Sequence, residues 1–387
     1  MDQISPSLSY SLFLYVALSF TCCLTFIYLA RTGSRLAGRP EDLLAIQAAH
    51  DRVVPRIGGI AIFATVVLAA LVVADHLYSD YLKFLAATSI LFLAGLLEDL
   101  GIRVSPRMRL LAAVLASLAT IALLGVWLPR ADVPVLDELI KWGMVGIPLT
   151  VLLTSGVSHA FNMIDGVNGL AGLCATTTSV SLAAIAYSAG LAPIAELSLV
   201  VGAGVVGFLL WNFPHGKIFL GDAGAYTLGF VLSWFGIAIL LSNADATPWA
   251  LLLSFLWPVA DMLLAIRRRS RRGKAAMAAD RMHFHQVVMR LLQRHILPKH
   301  LRARANALTT AVLAPFVILP GVMGAVLWDN PQAAVLACAM LIACFFASYY
   351  AILKNIRRIR KIIQGMYLKS IKGMHPAANS IRAAKET

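Results

Sequence analysis

Five short polar stretches interrupt an otherwise apolar chain, and together they hold carboxylates, amides, histidines and arginines. Each stretch stands at or near the end of an apolar run, or in the loop that follows one. Ionisable groups are costly at membrane depth, so they tend to line a cavity or a path. The five stretches therefore predict one site: LLEDLGIRVSPRMR (96–109), SHAFNMIDGVNG (158–169), NFPHGKIFLGDAG (212–224), PVAD (258–261) and ADRMHFHQ (279–286).

Glu98 and Asp99 are adjacent carboxylates at the end of an apolar run. Neighbouring carboxylates repel each other, so one of them tends to keep its proton or the pair recruits a cation. Either outcome suits a general base or a site for a hard metal ion. The alternative is a solvated helix end that pairs with the arginines that follow, Arg103, Arg107 and Arg109.

Asn162, Asp165 and Asn168 follow one another at a spacing of three residues. On a helix, this spacing places the three side chains along one face, and their donors and acceptors suit a nucleotide. Helix capping between residues 165 and 168 is the alternative, because Asp and Asn are favoured at helix starts. Capping would account for only one of the three side chains.

Asp222 stands between Gly221 and Gly224, and these small neighbours leave room for a bulky polyanion. Mg²⁺ prefers one or two carboxylates together with phosphates and waters, which makes Asp222 a candidate ligand. The alternative is that Asp222 caps the span that follows it. Asp261 lies inside an apolar run, where it either takes part in the site or pairs with the arginines at 267–269.

The longest loop between apolar runs carries a cluster of histidine, arginine and aspartate. Two histidines separated by one residue point to different faces of a helix, which is poor geometry for zinc. Phosphate binding is the better interpretation, and a solvated amphipathic loop is the alternative. The residues of this cluster are Asp280, Arg281, His283 and His285.

The elements that must position these residues are membrane-spanning helices. Of the 387 residues, 59% are hydrophobic and only 13% are charged, about half the charged fraction of a soluble protein. Apolar runs of about 18 or more residues are typical of membrane spans. Eleven such runs predict an all-α, polytopic membrane protein: 9–31, 54–74, 81–97, 107–128, 139–157, 169–188, 194–211, 223–241, 247–266, 305–327 and 332–353.

Basic residues are sorted to one side of the membrane in this topology. All but three of the 33 lysines and arginines fall on the side that also carries the polar stretches, and the exceptions are Lys83, Arg130 and Lys141. Because an excess of Lys and Arg marks cytoplasmic loops, the N-terminus is predicted outside and the C-terminus in the cytoplasm. This bias and attraction to anionic lipid account for the net charge of +14, so no nucleic-acid partner is expected.

Residues 1–353 are predicted to form one transmembrane catalytic domain. A basic cytoplasmic tail follows at 354–387, and its segment IRRIRKIIQGMYLKSIKGM is partly amphipathic, which suits the surface of the inner leaflet. The site would be built from the loops on the cytoplasmic side, at 32–53, 98–106, 158–168, 212–222 and 267–304.

Six motifs, among them the polar stretches, occur in a fixed order: PRIGG (55–59), LEDLGIRVSPRMRLL (97–111), FNMIDGVNGLAG (161–172), FLGDAGAYTLG (219–229), PVAD (258–261) and DRMHFHQ (280–286). In this order and spacing, the chain resembles the polyprenyl-phosphate N-acetylhexosamine-1-phosphate transferases of bacterial glycosyltransferase family 4, over roughly residues 50–290. Members of this family transfer a sugar phosphate from a UDP-sugar to a lipid phosphate.

The resemblance implies a role for each matching residue. Asp222 matches the magnesium-binding Asp of the Gly-Asp motif, and Asp99 matches the second acid of an Asp-Asp pair that deprotonates or positions the lipid phosphate. The implied catalytic residues are Glu98, Asp99, Asp165 and Asp222, of which Asp165 and Asp222 also bind metal. The implied substrate-binding residues are Arg109, Asn162, Asn168, Asp280, Arg281, His283 and His285.

Three positions depart from the family pattern. Glu98 replaces the first Asp of the pair, Asn168 stands where many members carry a second Asp, and Gln286 follows His285 where several branches have another histidine. These departures favour the branch that starts O-antigen or other surface-polysaccharide synthesis over the peptidoglycan branch.

The implied activity is transfer of N-acetylhexosamine-1-phosphate from a UDP-N-acetylhexosamine to undecaprenyl phosphate, with UMP as the other product. The resemblance implies Mg²⁺, or Mn²⁺ in its place, as cofactor, and a site on the cytoplasmic face of the bacterial inner membrane. The resemblance does not decide whether the protein forms a homodimer or which sugar it transfers. Three alternatives are a phospho-N-acetylmuramoyl-pentapeptide transferase, an inactive lipid-binding relative and a transporter. A one-step displacement is expected, with a covalent phospho-aspartate as the alternative route.

Overall fold

We describe the fold from a computed structural model of the chain. The structure describes residues 6–32, 54–271, 273, 282–295 and 302–374, with side chains in 9–32, 54–271, 273, 282–293 and 304–355. Within these ranges the chain is helical and contains no β-strand. The predicted all-α fold is therefore confirmed. The cytoplasmic loop predicted at 32–53 lies, apart from Thr32, outside the described residues, as do residues 272, 274–281 and 296–301 of the loop predicted at 267–304.

Fourteen α-helices are described, and a single 3-10 turn at Ala69–Leu71 extends the second of them. In chain order the helices are α1 Pro6–Arg31, α2 Gly58–Leu68, α3 Asp75–Asp99, α4 Pro106–Leu124, α5 Pro134–Ile140, α6 Gly143–Ile164, α7 Leu170–Ser188, α8 Ala192–Asn212, α9 Gly221–Ser242, α10 Pro248–Ser254, α11 Leu256–Ser270, α12 Phe284–His295, α13 Arg302–Val326 and α14 Pro331–Met374.

Each of the eleven predicted apolar runs falls on a helix. Among the described residues, nine helices are long and apolar enough to cross a membrane, and α10 with α11 forms a further, bent candidate. The remaining run, 54–74, falls on α2 and its 3-10 extension, which are shorter. The chain is thus a multi-pass membrane protein.

Some helices extend further than the hydropathy of the sequence predicted. The predicted loop at 158–168 is helical through Ile164, and the predicted tail at 354–387 is helical through Met374. Hydropathy ends a span at the first polar residue, whereas a helix ends where its backbone hydrogen bonding stops. Polar side chains such as that of Asn162 can therefore stand on the last turn of a span.

Helix α9 is the central helix of the bundle. Residues along almost its whole length are buried, and it packs against α2, α3, α6 and α7. A helix that is apolar on all sides has to be surrounded by other helices or by lipid, and the composition of α9 meets this requirement. The end of α9 that begins at Gly221 is called the site end below, and the end near Ser242 is called the far end.

Four helix termini meet at the site end: the last turns of α3 and α6 and the first turns of α4 and α9. At the far end, the guanidinium of Arg130 donates to the carbonyls of Leu240, Asn243, Ala244 and Ala246 and pairs with Asp132. These bonds satisfy the carbonyls that a helix C-terminus leaves free. Arg130 and Asp132 at the far end are therefore engaged in structural contacts.

The span formed by α10 and α11 bends by 80° at Phe255. A break in a helix frees backbone carbonyls, which are costly in lipid unless another group satisfies them. Here the hydroxyl of Thr178 on α7 donates to the carbonyl of Ser254 at 2.8 Å, and Ser181 Oγ lies 2.7 Å from Ser254 Oγ. Ser181 also donates to the carbonyl of Gly321 on α13. Side chains on α7 thus satisfy the break and tie it to α13.

The chain divides into two compact units, Met1–Ile342 and Ala343–Thr387. The first unit contains α1 to α13 and the start of α14, as far as Ile342. Of the second, the described part is helical.

Candidate active site

Asp222 lies at the centre of a group of polar side chains at the site end. Its Oδ1 accepts a hydrogen bond from Asn162 Nδ2 at 3.0 Å and one from Arg56 Nη2 at 3.3 Å. Its Oδ2 accepts a hydrogen bond from Arg109 Nη1. The Asp222 side chain is 6% exposed, but the Arg56 side chain is 35% exposed. The carboxylate is therefore buried beneath two cations, one of which reaches solvent.

Local sequence explains how the partners of Asp222 are placed. Ser105 caps α4 by accepting a hydrogen bond from Met108 N, and Pro106 stands at the first helical position; both are typical helix starts. This start places Arg109 in the first turn of α4. Asn162 comes from the last turn of α6, so the end of one helix and the start of another meet at Asp222.

Asp99 holds the first turn of α9 from the end of α3. Its Oδ1 accepts a hydrogen bond from Asp222 N and its Oδ2 accepts one from Ala223 N, both at 2.9 Å. Its side chain is fully buried, and Arg56 Nε lies 3.8 Å from Oδ1. The two oxygens are therefore engaged with backbone amides that fix the position of Asp222.

The segment that carries Arg56 packs directly on the start of α9. Phe219 N donates to the carbonyl of Pro55, and the amides of Gly58 and Gly59 donate to the carbonyls of Phe219 and Leu220. Gly221 has φ +75°, and a Cβ there would lie 2.1 Å from the carbonyl oxygen of Arg56. Only glycine tolerates both the dihedral angle and this close approach.

Asp165 follows the last residue of α6 and lies beside the same turn. Burial raises the pKa of Asp165 to about 6, against the lowering effects of Arg56 and of the backbone of Gly221. A group that burial shifts in this way gains from a nearby cation, because the cation stabilises the ionised form.

A second cluster forms around Asp261 of α11. Asp261 Oδ2 lies 2.8 Å from His283 Nδ1, and Asp261 Oδ1 accepts a hydrogen bond from Phe284 N at 2.9 Å. The rings of His283 and His285 are stacked, with centroids 5.7 Å apart. His283 lies just before α12 and His285 lies in its first turn, so the two residues are not bound by helical spacing. Their rings can therefore stack although one residue separates them.

The second cluster adjoins the first at Gly166. A Cβ on Gly166 would lie 2.4 Å from His285 Nε2, and Gly166 directly follows Asp165. Of the two histidines predicted to bind substrate, His285 is thus brought next to the Asp165 turn, and His283 stacks on it.

Asn168 occupies a different kind of position from Asn162. Because α6 ends at Ile164 and α7 begins at Leu170, Asn162, Asp165 and Asn168 do not share one helix, and the predicted helical stripe is wrong. Asn168 N donates to Asn306 Oδ1, its Nδ2 donates to the carbonyl of Pro214, and its carbonyl accepts from Thr310. These hydrogen bonds tie the turn to α13 and to the segment between α8 and α9, and substrate binding by Asn168 stays a prediction.

Glu98 holds the turn that follows α3, because its Oε2 accepts a hydrogen bond from Val104 N at 2.6 Å. Its predicted catalytic role stays a prediction. Asp280 and Arg281, also predicted to bind substrate, lie outside the described residues.

Comparison with known proteins identifies the family of the chain. The sequence profile of glycosyl transferase family 4 matches residues 81–240, which include Asp99, Arg109, Asn162, Asp165 and Asp222. A relative from Bacillus subtilis (strain 168), named "Probable undecaprenyl-phosphate N-acetylglucosaminyl 1-phosphate transferase", is 32% identical over 241 residues, which are 62% of this chain and 67% of the relative. The chain belongs to this transferase family.

Two further relatives extend the match. An "Undecaprenyl-phosphate alpha-N-acetylglucosaminyl 1-phosphate transferase" from Yersinia pestis is 25% identical over 354 residues, covering 89% of this chain and 92% of its own. A "Decaprenyl-phosphate N-acetylglucosaminephosphotransferase" from Mycobacterium tuberculosis (strain H37Rv) is 28% identical over 279 residues, covering 64% of this chain and 68% of its own. The predicted family is thus confirmed, which excludes the transporter alternative.

The transferase site offers oxygen donors of the kind that Mg²⁺ prefers. They are the carboxylates of Asp222 and Asp165 and the amide of Asn162, whereas no group of three His, Cys, Asp or Glu side chains in the described part of the chain is arranged to hold a metal ion. Mg²⁺ commonly binds one or two carboxylates and takes its other ligands from phosphates and water. The residues present therefore fit Mg²⁺ that arrives with a diphosphate.

Arg56 is the principal residue that sequence reasoning missed. It stands in the PRIGG motif, which contributed to the family resemblance, but no role followed from the motif itself. The contact of Arg56 with Asp222 joins residues 166 positions apart, a distance that helix periodicity cannot bridge. The adjacent glycines were the available signal, because they mark close approach of the backbone.

Proposed function

We propose that this protein transfers N-acetylhexosamine-1-phosphate from a UDP-sugar to undecaprenyl phosphate and releases UMP. N-Acetylglucosamine is the sugar expected from the names of the relatives. The observation that carries the proposal is the buried carboxylate of Asp222 beneath two guanidiniums and the amide of Asn162, at the end of membrane-spanning helices. A water-soluble diphosphate and a membrane-bound phosphate can meet at such a place.

In the proposed reaction, an oxygen of the lipid phosphate attacks the β-phosphorus of the UDP-sugar in one step, and UMP leaves. Phosphoryl transfer depends mainly on positioning and on neutralisation of charge. Mg²⁺, held by Asp222 and Asp165, would neutralise charge on the diphosphate. Arg56 and Arg109 pair with Asp222 here. Each guanidinium has several N–H donors, so it can also bind phosphate oxygens, through two parallel hydrogen bonds.

Asp99 serves as an anchor in this proposal, not as a general base. Both of its oxygens accept hydrogen bonds from backbone amides. The lipid acceptor has little need of a base, because a phosphate monoester loses its second proton near about pH 6. Deprotonation is therefore largely complete at neutral pH without help from the protein.

The direct test is UMP release by the purified protein with undecaprenyl phosphate, Mg²⁺ and a panel of UDP-N-acetylhexosamines. Asp222→Asn keeps the shape of the side chain but removes the charge, and we expect activity to fall by about a thousandfold, as when a principal electrostatic group is removed. Asp132→Asn is the matched control, since Asp132 is a paired carboxylate at the far end. Lipid-independent release, or full activity of Asp222→Asn, would contradict the proposal.

We further propose that the site end faces the cytoplasm of the bacterial inner membrane, where UDP-sugars are made. The sorting of lysines and arginines supports this orientation. Single cysteines at His215, exposed at the site end, and at Asp245, exposed at the far end, would test it with a membrane-impermeant maleimide. We expect His215→Cys to react only in inverted vesicles and Asp245→Cys only in intact spheroplasts; the reverse pattern would exclude this orientation.

The pathway position is the last part of the proposal. Glu98, Asn168 and Gln286 support the branch that starts O-antigen or another surface polysaccharide. Deletion of the gene should then abolish one lipid-linked polysaccharide and leave peptidoglycan synthesis intact. Loss of peptidoglycan would assign the chain to the other branch.

A further inference from the structure

Asp261 lies inside the bent span and is almost completely buried, with 1% of its side chain exposed. A buried carboxylate is stable only when it is paired and hydrogen-bonded. From sequence, the neighbouring arginines at 267–269 were one candidate for its partner. The structure instead gives its oxygens two close partners at the start of α12, the ring of His283 and the backbone amide of Phe284, and His285 Nδ1 lies farther away, 3.9 Å from Oδ2.

The chemistry of these contacts fixes how His283 is oriented. An ionised carboxylate can only accept hydrogen bonds, so His283 Nδ1 must carry the proton that it shares with Asp261 Oδ2. Nε2 is then the one ring nitrogen left for a ligand. Because Asp261 Oδ1 holds the amide of the next residue, the carboxylate fixes both the backbone and the ring.

The ring of His283 is connected to the candidate active site through His285. His283 stacks on His285, and His285 Nε2 lies so close to Gly166 that a side chain there would collide with it. Gly166 follows Asp165, the proposed metal ligand. A movement of the loop at residues 282–285 would therefore change the surroundings of the diphosphate.

We propose that Asp261 is a positioning residue of the transferase, which acts through His283 by presenting its Nε2 to the phosphates of the UDP-sugar. This inference rests on the proposed function for the reaction that His283 assists. The carboxylate itself, engaged by the two groups of the loop, makes no contact with substrate. Carboxylates behind metal-bound histidines act in the same way, by fixing the tautomer and the ring.

Kinetics can separate positioning from a general structural role. Asp261→Asn keeps the size of the side chain, but its amide NH₂ cannot accept from both partners. We expect kcat to fall by about tenfold to a hundredfold, the range found for carboxylates behind metal-bound histidines, with little change in KM for the UDP-sugar. The kcat of His283→Gln should fall by a similar factor. The kcat of the double variant should be no lower than that of the less active single variant.

Multiplicative losses in the double variant would overturn the proposal, because residues that act through one another are not additive. Wild-type kcat in Asp261→Asn would overturn it as well. Asp132→Asn again serves as the control for loss of a paired carboxylate away from the site.

Histidine ¹⁵N NMR on the wild-type protein tests the geometry without any activity and does not depend on whether Asp261→Asn folds. The His283 signal, assigned by its loss in His283→Gln, should report a protonated Nδ1. A neutral ring protonated only at Nε2 would overturn the proposal. If the wild type instead released no UMP from any donor while Nδ1 was protonated, the proposed function would fail and the Asp261–His283 geometry would stand.

Discussion

A carboxylate whose two oxygens both accept hydrogen bonds from backbone amides has little capacity to accept a proton from substrate. Asp99 is such a group, although the family resemblance implied that it deprotonates or positions the lipid phosphate. Its sequence neighbour Glu98 likewise bonds a backbone amide. Both acids stand at the end of α3, but residue type alone does not distinguish an anchor from a base, and the catalytic role predicted for them stays a prediction.

Asp99→Asn tests the anchor role. The amide cannot accept from both Asp222 N and Ala223 N, and each hydrogen bond to a charged group contributes about 1.5–3 kcal/mol. We expect the melting temperature in detergent and kcat both to fall, while the pH profile of the residual activity keeps its shape. Loss of the acidic limb of the kcat profile, with unchanged thermal stability, would identify Asp99 as the base instead.

Arg56 extends the site beyond the residues chosen from sequence. It is the more exposed of the two cations on Asp222, with 35% of its side chain accessible against 18% for Arg109. This greater exposure suits a first contact between Arg56 and the diphosphate.

Arg56→Lys should therefore weaken substrate use. Lysine keeps the charge but cannot bind a phosphate and Asp222 through a planar fork. We expect kcat/KM for the UDP-sugar to fall by about tenfold or more, since a hydrogen bond between charged groups is worth about 1.5–3 kcal/mol. Arg107→Lys, an exposed arginine in the first turn of α4, is the control. Equal kinetics for the two variants would remove Arg56 from the site.

At the scale of elements, hydropathy predicted apolar runs that all fall on helices, because apolar side chains in sufficient number favour helices in a membrane. In the described residues nine of these helices, and α10 with α11 as a bent tenth, are long enough to span, whereas α2 in the run at 54–74 is shorter. Hydropathy could not locate the break at Phe255, since residues 247–266 read as one continuous run. The break depends on the hydroxyls of Thr178 and Ser181 on α7, which are far away in sequence. Contacts of this kind are set by packing and leave no periodic signal.

Thr178→Val tests whether α7 stabilises the break. The substitution keeps the shape of the side chain but leaves the carbonyl of Ser254 without this donor, at a cost of about 1–3 kcal/mol. We expect a lower melting temperature in detergent. Thr120→Val is matched to it, because Thr120 is also buried but bonds only within its own helix. Equal melting temperatures for the two variants would mean that the break does not depend on this contact.

At the scale of the whole molecule, the site is assembled from segments that span more than half of the sequence, from Arg56 to His285. The order of the motifs was readable from the chain, and so was the end of the bundle at which they meet. The distances between them were not, because each depends on how several helices cross. The burial of His285 is one result of this assembly that affects the stability of the fold.

His285 makes the stability of the protein depend on pH. Burial lowers the pKa of His285 to about 4, an effect that His283 and Arg290 reinforce and Asp261 opposes. Below about pH 6.5 the unfolded chain takes up a proton that the folded chain excludes, so stability falls as the pH is lowered from about 6.5 to about 4. We expect the melting temperature to fall over this range in wild type and to fall less in His285→Gln. Identical slopes would assign the loss to other groups.

The anchoring of α9 by Asp99 has a consequence for how the enzyme recognises phosphate. The N-terminus of a helix carries a partial positive charge and free amides, and it is a common binding site for phosphate. At α9 an anion of the protein itself already occupies two of these amides. In the proposed reaction, recognition of the diphosphate would then fall to side chains and to Mg²⁺, so substitutions at Arg56, Arg109 and Asp222 would change nucleotide recognition while the backbone stays in place.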